Sequence, residues 1–326
     1  MTEIQLIGRP TGFPTADLFE YVETGPLVVR AGTALVENLL LSVDPYMREC
    51  MDSEWDLHTA LEGRAIGRVV ESRTPALAVG DLVFHRQSWR THAVVTPGEC
   101  RTIAELDGVP LSSYLGILGG TGLSAYVGLT RIARVQPGET VFVSAAAGGV
   151  GTAAGRIAKL LGAGRVIGST GSARKAEHLT SVVGFDAAFS YRAGPIGKSL
   201  AEVAPDGIDV YFDNVGGDHL AAAIDVLRPR GRVAWCGAVA QYNSAEPPAA
   251  PYNLYDLVEK EIRLEGFLVR SHRDAQPELE EFLVPHLRSG RVVSDETVVD
   301  GFGAMVEAFL AMLRGDNLGK MLVRVL

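Results

Sequence analysis

This 326-residue sequence has few cysteines, and its lysine and arginine residues do not outnumber its aspartate and glutamate residues. Its three cysteines, Cys50, Cys100 and Cys236, lie far apart and form no CxxC pair. An odd number of scattered cysteines rules out a disulfide framework and is typical of a reducing compartment. The net charge of -9 leaves no excess of lysine and arginine for a phosphate backbone, which argues against nucleic acid as a partner.

Long apolar runs are missing as well. No segment approaches the roughly 20 apolar residues that a membrane-spanning helix needs. Residues 1–9 contain no basic stretch followed by an apolar one, so no secretory signal is expected. The seven histidines include no pair at i and i+4, and none lies near a cysteine, which argues against a metal site. We therefore expect a cytoplasmic protein without metal or membrane partner.

Short apolar runs are plentiful, and their spacing changes along the chain. Up to about Tyr114, they are separated by Gly, Pro and Asp, which predicts a β-rich domain built as a small barrel or sandwich. From Thr140 onward, six apolar runs alternate with amphipathic segments, which indicates a doubly wound parallel sheet buried on both faces. The predicted strands are Thr140–Ser144, Arg165–Ser169, Ala187–Ser190, Ile208–Phe212, Arg232–Cys236 and Arg263–Phe267.

The tail, from about Gly290, departs from this alternation. The pattern predicts a strand at 296–299, a helix at 302–314 and a strand at 320–326. Because it resembles the first third more than the middle, we expect the tail to return to the first domain. The Pro/Ala-rich stretch 245–251 is the clearest loop. The predicted domains are residues 1–117, 118–292 and 293–326.

The segment from Thr140 to Gly151 has the pattern of a strand, a turn of small residues and a helix start. It matches AxGxxG, with Ala146 at the first position of the GxGxxG fingerprint of dinucleotide-binding folds. Gly148 would let the backbone approach a pyrophosphate, and Gly151 would let the helix pack closely on the strand. The helix N-terminus would present free N–H groups and partial positive charge. Within the predicted sheet, we interpret this turn as a dinucleotide site rather than as a purely structural turn.

The end of the second predicted strand indicates which dinucleotide binds. A carboxylate about 20 residues after the turn would bind the ribose 2′-hydroxyl of NAD. Residues 168–175 contain no carboxylate, and Glu177 is the next one. Ser172, Arg174 and Lys175 could instead hold a 2′-phosphate, although the two cations could also be merely solvated at a helix start. The missing acid favours NADPH over NADH.

Several strings resemble those of a known family. They are LSVDPYMR at 41–48, YFDNVGG at 211–217, CGAVAQYN at 236–243 and GDNLGK at 315–320; a further string, GGTGLSAY at 119–126, has Ser124 where many relatives have Thr. Nearly the whole chain resembles the zinc-independent medium-chain dehydrogenase/reductase superfamily. Within it, the chain is most similar to the branch of prostaglandin/leukotriene reductases, alkenal double-bond reductases and curcumin reductases. The resemblance implies a GroES-like substrate domain followed by an NADPH-binding Rossmann domain.

The resemblance also bears on zinc. The zinc-dependent relatives carry a catalytic cysteine and a Gly-His-Glu string in the first domain. This chain has Val43 and Asp44 at the first place and Glu62-Gly-Arg64 at the second, and it lacks a four-cysteine zinc loop. The resemblance therefore implies a reductase that works without metal.

Site residues are implied in the same way. Those expected at the phosphates and adenosine are Ala147, Gly148, Val150, Lys175 and Tyr191, which join Gly151 and Ser172 from the sequence pattern described above. Those expected around the ribose and nicotinamide are Asn214, Cys236, Phe267 and Asn317. Tyr242 is expected to approach the substrate carbonyl, where either its hydroxyl or the ribose hydroxyl of the cofactor would stabilise the enolate, and Tyr46 is expected to line the pocket. Three alternatives stay open: Asn214 as a turn cap, Tyr242 as an ordinary loop aromatic, and Tyr46 as packing only.

The implied reaction is reduction of the C=C bond of an α,β-unsaturated ketone or aldehyde. NADPH would deliver hydride to the β-carbon, and the resulting enolate would be protonated at the α-carbon. Two alternatives are an NADPH quinone reductase and a non-catalytic NADPH-binding protein, because a fold does not fix a function. The expected partners are a small hydrophobic enone or enal and, since relatives commonly form homodimers, a second copy of the chain.

Overall fold

The computed structural model describes residues 1–243 and 250–326. Most of the predicted loop 245–251 therefore lies outside the described residues. The strands are β1 (Thr2–Leu6), β2 (Phe19–Glu23), β3 (Ala34–Val43), β4 (Ala65–Ser72), β5 (Leu82–His85), β6 (His92–Val95), β7 (Cys100–Thr102), β8 (Thr140–Val143), β9 (Arg165–Thr170), β10 (Ala187–Ser190), β11 (Ile208–Asp213), β12 (Leu227–Trp235), β13 (Arg263–Gly266), β14 (Glu296–Asp300) and β15 (Lys320–Arg324).

The helices are mostly short. The α-helices are α1 (Met47–Cys50), α2 (Gly120–Val127), α3 (Gly149–Leu160), α4 (Ala173–His178), α5 (Ile196–Val203), α6 (Gly217–Val226), α7 (Asp256–Glu259), α8 (Gln276–Arg288) and α9 (Met305–Arg314). Segments of 3-10 helix are Ala16–Leu18, Leu111–Tyr114, Tyr191–Ala193, Val269–Ala275 and Phe302–Ala304, and π-helical turns are Gly128–Ile132 and Leu179–Val183. In the part of the chain described, no helix has the length and apolar character needed to span a membrane.

The chain divides into two compact units. The first consists of Met1–Leu115, Glu296–Asn317 and Met321–Leu326, and the second of Gly116–Asp295 and Leu318–Lys320. The tail thus returns to the β-rich unit, as its sequence pattern predicts.

The first unit is built around the long strand β3. Its main sheet has the order β14-β15-β3-β4-β5-β7, with β6 also paired to β3, while β1 and β2 pair separately. An aromatic cluster around Trp89 fills one core, with Phe19 stacked on it at 5.6 Å and Trp55 and Phe309 edge-on at 5.5 and 5.6 Å. Strand β3 ends at Val43, and Pro45, which has no N–H for the ladder, precedes the short helix α1. This turn places Tyr46 at the start of α1.

The second unit is the predicted parallel sheet. Six described strands run in the order β10-β9-β8-β11-β12-β13, and every pair in it is parallel. The chain reverses its direction of winding between the neighbours β8 and β11, which is the switch point where such sheets bind ligands. Phe142 in β8 stacks on Tyr211 in β11 at 4.9 Å, and both are fully buried. Burial on both faces therefore explains the apolar runs of β8, β9 and β11. The expectation of such burial is wrong for the two outer strands, because β10 is only partly buried and β13 is mostly exposed.

Candidate cofactor-binding and active site

The glycine turn connects β8 to α3 at the switch point. The backbone turns at Ala145, whose φ is +46°, and Ala146 donates its N–H to the carbonyl of Ser169 at 2.9 Å. A Cβ on Gly151 would come within 2.5 Å of atoms of both Ala145 and Ala146, so only glycine fits there. Gly148 precedes α3 in an extended conformation, and no side chain caps this helix. The first N–H groups of α3 are thus available to an anion.

The beginning of α4 follows strand β9. Ser172 is the N-cap residue of α4, and its Oγ accepts the backbone N–H of Lys175 at 3.3 Å. This cap uses an oxygen lone pair, and the hydroxyl proton can still donate to a phosphate. Ser172 and Lys175 are partly exposed, whereas Arg174 is exposed. The predicted hydroxyl and ammonium groups therefore belong to the same helix start.

The end of β10 contributes a cation that the sequence analysis missed. A Cβ on Gly171, one residue after β9, would lie 3.5 Å from the Tyr191 hydroxyl and 3.8 Å from the Arg192 guanidinium carbon. The Tyr191 ring lies edge-on to the His219 ring, with ring centres 5.1 Å apart. The Arg192 guanidinium lies 5.9 Å from the centre of the Tyr191 ring. Arg192 could have been found, because the carboxyl ends of neighbouring parallel strands meet at one edge of a sheet.

Asn214 ties the ends of the two central strands together. Its Nδ2 donates to the Ser144 carbonyl at 2.8 Å, and its backbone N–H donates to the Ser144 hydroxyl at 3.0 Å. The turn itself is held by Asp213, whose Oδ1 accepts the N–H groups of Val215 and Gly216, both at 2.8 Å. Burial raises the pKa of the Asp213 carboxyl, and these hydrogen bonds oppose the rise. Asp213 is thus a positioning residue that sequence reasoning missed, although it stands next to Asn214 in a recognised string.

Cys236 and Tyr242 follow strand β12. The Cys236 N–H donates to the Asp213 carbonyl at 2.8 Å. Burial, reinforced by the Asp213 charge, raises the pKa of the Cys236 thiol to about 12. A Cβ on Gly237 would lie 3.4 Å from the Tyr242 hydroxyl. The structure therefore brings Tyr242 next to the end of β12, close to Cys236 in the chain.

Phe267 follows the neighbouring strand β13. Its backbone N–H donates to the carbonyl of Trp235 at 3.2 Å. Its ring lies edge-on to the rings of Phe212 and His272, with both pairs of centres 6.4 Å apart. The residues predicted around the nicotinamide in this unit, namely Asn214, Cys236 and Phe267, thus follow the adjacent strands β11, β12 and β13.

The remaining predicted residues belong to the first unit. Asn317 is buried at 9% exposure. The Tyr46 hydroxyl is buried and makes no hydrogen bond to any described residue. The Arg64 guanidinium lies 5.2 Å from the centre of the Tyr46 ring, and Arg64 Nη1 is 3.2 Å from Asp44 Oδ2. Burial raises the pKa of the Tyr46 hydroxyl above its ordinary value. The negative charge of Asp44 adds to this rise, and the positive charge of Arg64 opposes it.

Two family models match the sequence. One, described as the N-terminal domain of oxidoreductase, matches residues 2–103, and the other, described as zinc-binding dehydrogenase, matches residues 149–284. The 2-alkenal reductase (NADP(+)-dependent) of Nicotiana tabacum is 38% identical over 97% of this chain and 94% of its own length. Prostaglandin reductase 1 of Rattus norvegicus is 39% identical over 96% of this chain and 95% of its own length. The chain belongs to the medium-chain dehydrogenase/reductase superfamily.

Further comparisons agree with this assignment to the superfamily. The putative NADP-dependent oxidoreductase YfmJ of Bacillus subtilis is 40% identical over 99% of this chain and 97% of its own length. The solved structure of CurA from Vibrio vulnificus in complex with NADPH is 31% identical, with a TM-score of 0.94 over 100% of this chain and 99% of that one. The resemblance to the branch of prostaglandin, alkenal and curcumin reductases is thereby confirmed.

Zinc does not fit the positions where zinc-dependent members of the superfamily hold it. Asp44 Oδ2 accepts the Ser42 hydroxyl at 2.5 Å and lies 3.2 Å from Arg64 Nη1. Glu62 pairs with Arg86 at 2.5 Å. Two guanidinium groups occupy the surroundings in which a metal cation would have to bind, and like charges repel. Within residues 1–243 and 250–326, no three His, Cys, Asp or Glu side chains come together to hold a metal ion.

Proposed function

We propose that this chain reduces the C=C bond of α,β-unsaturated ketones and aldehydes with NADPH, without a metal ion. The observation that carries the proposal is the Tyr46 hydroxyl, which is buried, lacks a hydrogen-bond partner among the described residues, and has a raised pKa. Such a group stays protonated and can donate to an oxygen that becomes negative. Relatives named 2-alkenal reductase, prostaglandin reductase 1 and (+)-pulegone reductase support the substrate class.

The adenosine half of NADPH is proposed to bind at the ends of β8, β9 and β10. The N-terminus of α3, with Ala147, Gly148, Val150 and Gly151, would hold the pyrophosphate, because its N–H groups have no side-chain cap. Ser172, Lys175 and the newly found Arg192 would hold the 2′-phosphate, and the partly exposed Tyr191 ring would pack beside the adenosine. No carboxylate at the end of β9 would repel that phosphate.

The nicotinamide half is proposed to bind among Asn214, Cys236 and Phe267, and Asn317 is proposed as a further cofactor contact. When bound, NADPH supplies the hydride that adds to the β-carbon of the conjugated double bond. The Asp213 contacts hold the turn that carries Asn214, so this part of the site is fixed before the cofactor arrives. Cys236, with its high pKa, stays a neutral thiol beside an electrophilic substrate and is not proposed to take part in the chemistry.

The substrate carbonyl oxygen gains negative charge as the enolate forms, and the enolate then takes a proton from solvent at its α-carbon to give the saturated product. We propose Tyr46 and Tyr242 as the catalytic residues, and we propose that the buried Tyr46 hydroxyl donates a hydrogen bond to this oxygen. A preorganised donor of this kind lowers the barrier by roughly 3 kcal/mol. Since the Tyr46 hydroxyl has no protein acceptor among the described residues, a substrate oxygen would satisfy it.

Quinone reduction has weaker support. The quinone oxidoreductase of Escherichia coli complexed with NADPH has a TM-score of 0.80 but only 21% identity, which is a likeness of fold alone. Among residues 1–243 and 250–326, no contact favours a quinone over an enone. A purely cofactor-binding protein would have no use for the unsatisfied Tyr46 hydroxyl. A cytoplasmic location is also proposed, since the three cysteines are free thiols.

Deuterium transfer tests the proposal directly. The chain is incubated with 4-deuterated NADPH, in both stereochemical forms, and a simple enone such as 1-octen-3-one. One form should place deuterium on the β-carbon of the saturated ketone, as read by NMR. Absence of deuterium from that carbon would refute hydride transfer, and faster turnover of a quinone panel than of an enone panel would favour the alternative.

A further inference from the structure

Asp295 connects two helices that are proposed to bind the cofactor, although it belongs to neither. Its side chain is 7% exposed. Its Oδ2 accepts hydrogen bonds from Nε and Nη2 of Arg156 in α3, at 3.0 and 2.8 Å. Its Oδ1 lies 3.1 Å from Nε2 of His178, the last residue of α4. One buried carboxylate thus joins the helix that follows the glycine turn to the helix that begins at Ser172.

The main chain of Asp295 makes a second connection, to the glycine turn itself. Its carbonyl oxygen accepts the Lys320 N–H at 2.7 Å. Gly319, whose φ is +64°, packs so tightly there that a Cβ on it would lie 1.8 Å from the same oxygen. Gly319 in turn donates its N–H to the Ala147 carbonyl at 2.8 Å and forms a parallel bridge with Gly148. The glycine turn is therefore hydrogen-bonded to a residue whose position Asp295 fixes.

The charges around this carboxylate make it hard to replace. The Arg156 side chain is 9% exposed and Lys320 is 4% exposed. Both line, with Asp295, a cavity of about 10 Å³, which has room for a single water molecule. Without the carboxylate, the Arg156 guanidinium would be buried beside a second cation and without its counter-ion, which is strongly unfavourable. The segments that carry these groups would then have to move apart.

We infer that Asp295 is a positioning residue for the cofactor. Its carboxylate holds α3 and α4 together, so that the glycine turn can bind the pyrophosphate while the start of α4 binds the 2′-phosphate. His178 connects the Asp295 carboxylate to α4, and Arg156 connects it to α3. The inference rests on the proposed use of NADPH. It adds that the preference for NADPH depends on the Asp295 carboxylate, which is not among the proposed cofactor contacts.

Binding measurements with three probes test the inference. Calorimetry would give Kd values of NADPH, NADH and 2′,5′-ADP for the wild-type chain and for Asp295→Asn, His178→Ala and Asp300→Asn. Asp295→Asn should weaken NADPH binding roughly 5- to 20-fold while leaving kcat at saturating NADPH unchanged. His178→Ala should weaken 2′,5′-ADP about fivefold and NADH much less, because it loosens only α4. Asp300→Asn, which removes an exposed ion pair with Arg324, should change neither.

The outcomes separate this inference from the proposed function. If the wild-type chain bound neither NADPH nor 2′,5′-ADP, the proposed function itself would fail. If it bound both, but folded Asp295→Asn and His178→Ala kept wild-type Kd values, only the positioning role would be overturned. Cooperative thermal unfolding by circular dichroism establishes folding. His178 is partly exposed, so its variant carries the test even if Asp295→Asn does not fold.

Discussion

The hydroxyl of Tyr46 is the residue-scale feature with the clearest chemical meaning. A buried donor without a partner costs about 1–3 kcal/mol of stability. Removal by Tyr46→Phe should therefore leave unfolding free energy unchanged or slightly higher, while kcat for an enone falls about 100-fold because an oxyanion donor is lost. Kinetics and urea unfolding measure the two effects.

Tyr21→Phe, which removes an exposed hydroxyl bonded to the Gly303 carbonyl, is the matched control. Unchanged kcat in Tyr46→Phe would remove this residue from the mechanism.

Arg192 tests the choice of cofactor at the same scale. Its guanidinium lies beside Gly171, at the edge where a 2′-phosphate is proposed to bind. Arg192→Gln should raise the KM for NADPH about fivefold and leave that for NADH unchanged, since only NADPH presents the extra phosphate. Arg230→Gln, at an exposed cation paired with Glu261, is the control. An equal change in both KM values would show that Arg192 does not read the phosphate.

Cys236 gives a prediction that depends on pH. Its ordinary pKa of 9.0 is raised to about 12 by burial, so the folded thiol stays protonated where an unfolded one ionises. Between pH 9 and about 12 the unfolded state therefore binds fewer protons, and stability falls as pH rises. Native Cys236 should resist iodoacetamide at pH 9 and react rapidly in urea, as mass spectrometry of the peptide would show. Rapid alkylation of the native protein at pH 9 would contradict the raised pKa.

At the scale of elements, sequence patterns predicted the six parallel strands from short apolar runs. These runs are buried in β8, β9 and β11, whereas β10 is only partly buried and β13 is mostly exposed. The bounds agree within one residue except at β12, which begins at Leu227 rather than at Arg232. Pro229 and Gly231 interrupt the apolar pattern there, and Arg230 has a φ of +64°. Helix α8 was not predicted either, and Pro285 lies inside it. By themselves, the proline and glycine residues indicate turns at the start of β12 and within α8, although packing within the unit stabilises regular structure there.

Helix α3 packs closely against the glycine turn at Gly151, and the proposed cofactor binding requires this contact. Gly151→Ala would place a methyl 2.5 Å from the Ala145 carbonyl oxygen and Ala146 Cα, so α3 must shift. We expect a loss of roughly 1–3 kcal/mol in unfolding free energy and weaker NADPH binding.

Gly197→Ala in α5 is the matched control for this substitution, because its new methyl would meet nothing nearer than Ala222 Cβ at 4.0 Å. It should stabilise the protein by about 0.4–1 kcal/mol, since alanine reduces the freedom of the unfolded chain. Urea unfolding and NADPH titration give both quantities. Equal effects of the two substitutions would show that the contact at Gly151 is not critical.

At the scale of the whole molecule, the change in sequence pattern predicted a β-rich unit, a parallel sheet and the return of the tail. Composition could not predict the Asp44–Arg64 pair or the Asp295 contacts, because these join residues far apart in the chain. The recognised strings supplied the candidate residues, but not the neighbours that hold them. Asp213, Arg192 and Asp295 all stand outside the residue set that the resemblance implied.

An edge of the sheet in the second unit is exposed and can support self-association of the chain. Among the described residues, β13 is the terminal strand of its sheet, and most of its residues are exposed. The unpaired N–H and C=O groups of such an edge strand can pair with a strand of another chain. Exposed apolar side chains lie nearby in sequence, with Tyr255 and Val258 both at 68% and Leu268 at 57% exposure. We propose a homodimer formed through this edge. Sedimentation should give twice the monomer mass of 34.7 kDa, and the double variant Val258→Lys with Leu268→Lys should shift it toward monomer without unfolding. Val182→Lys, at a 57% exposed site on the same unit, should stay dimeric, and a wild-type monomer would refute the proposal.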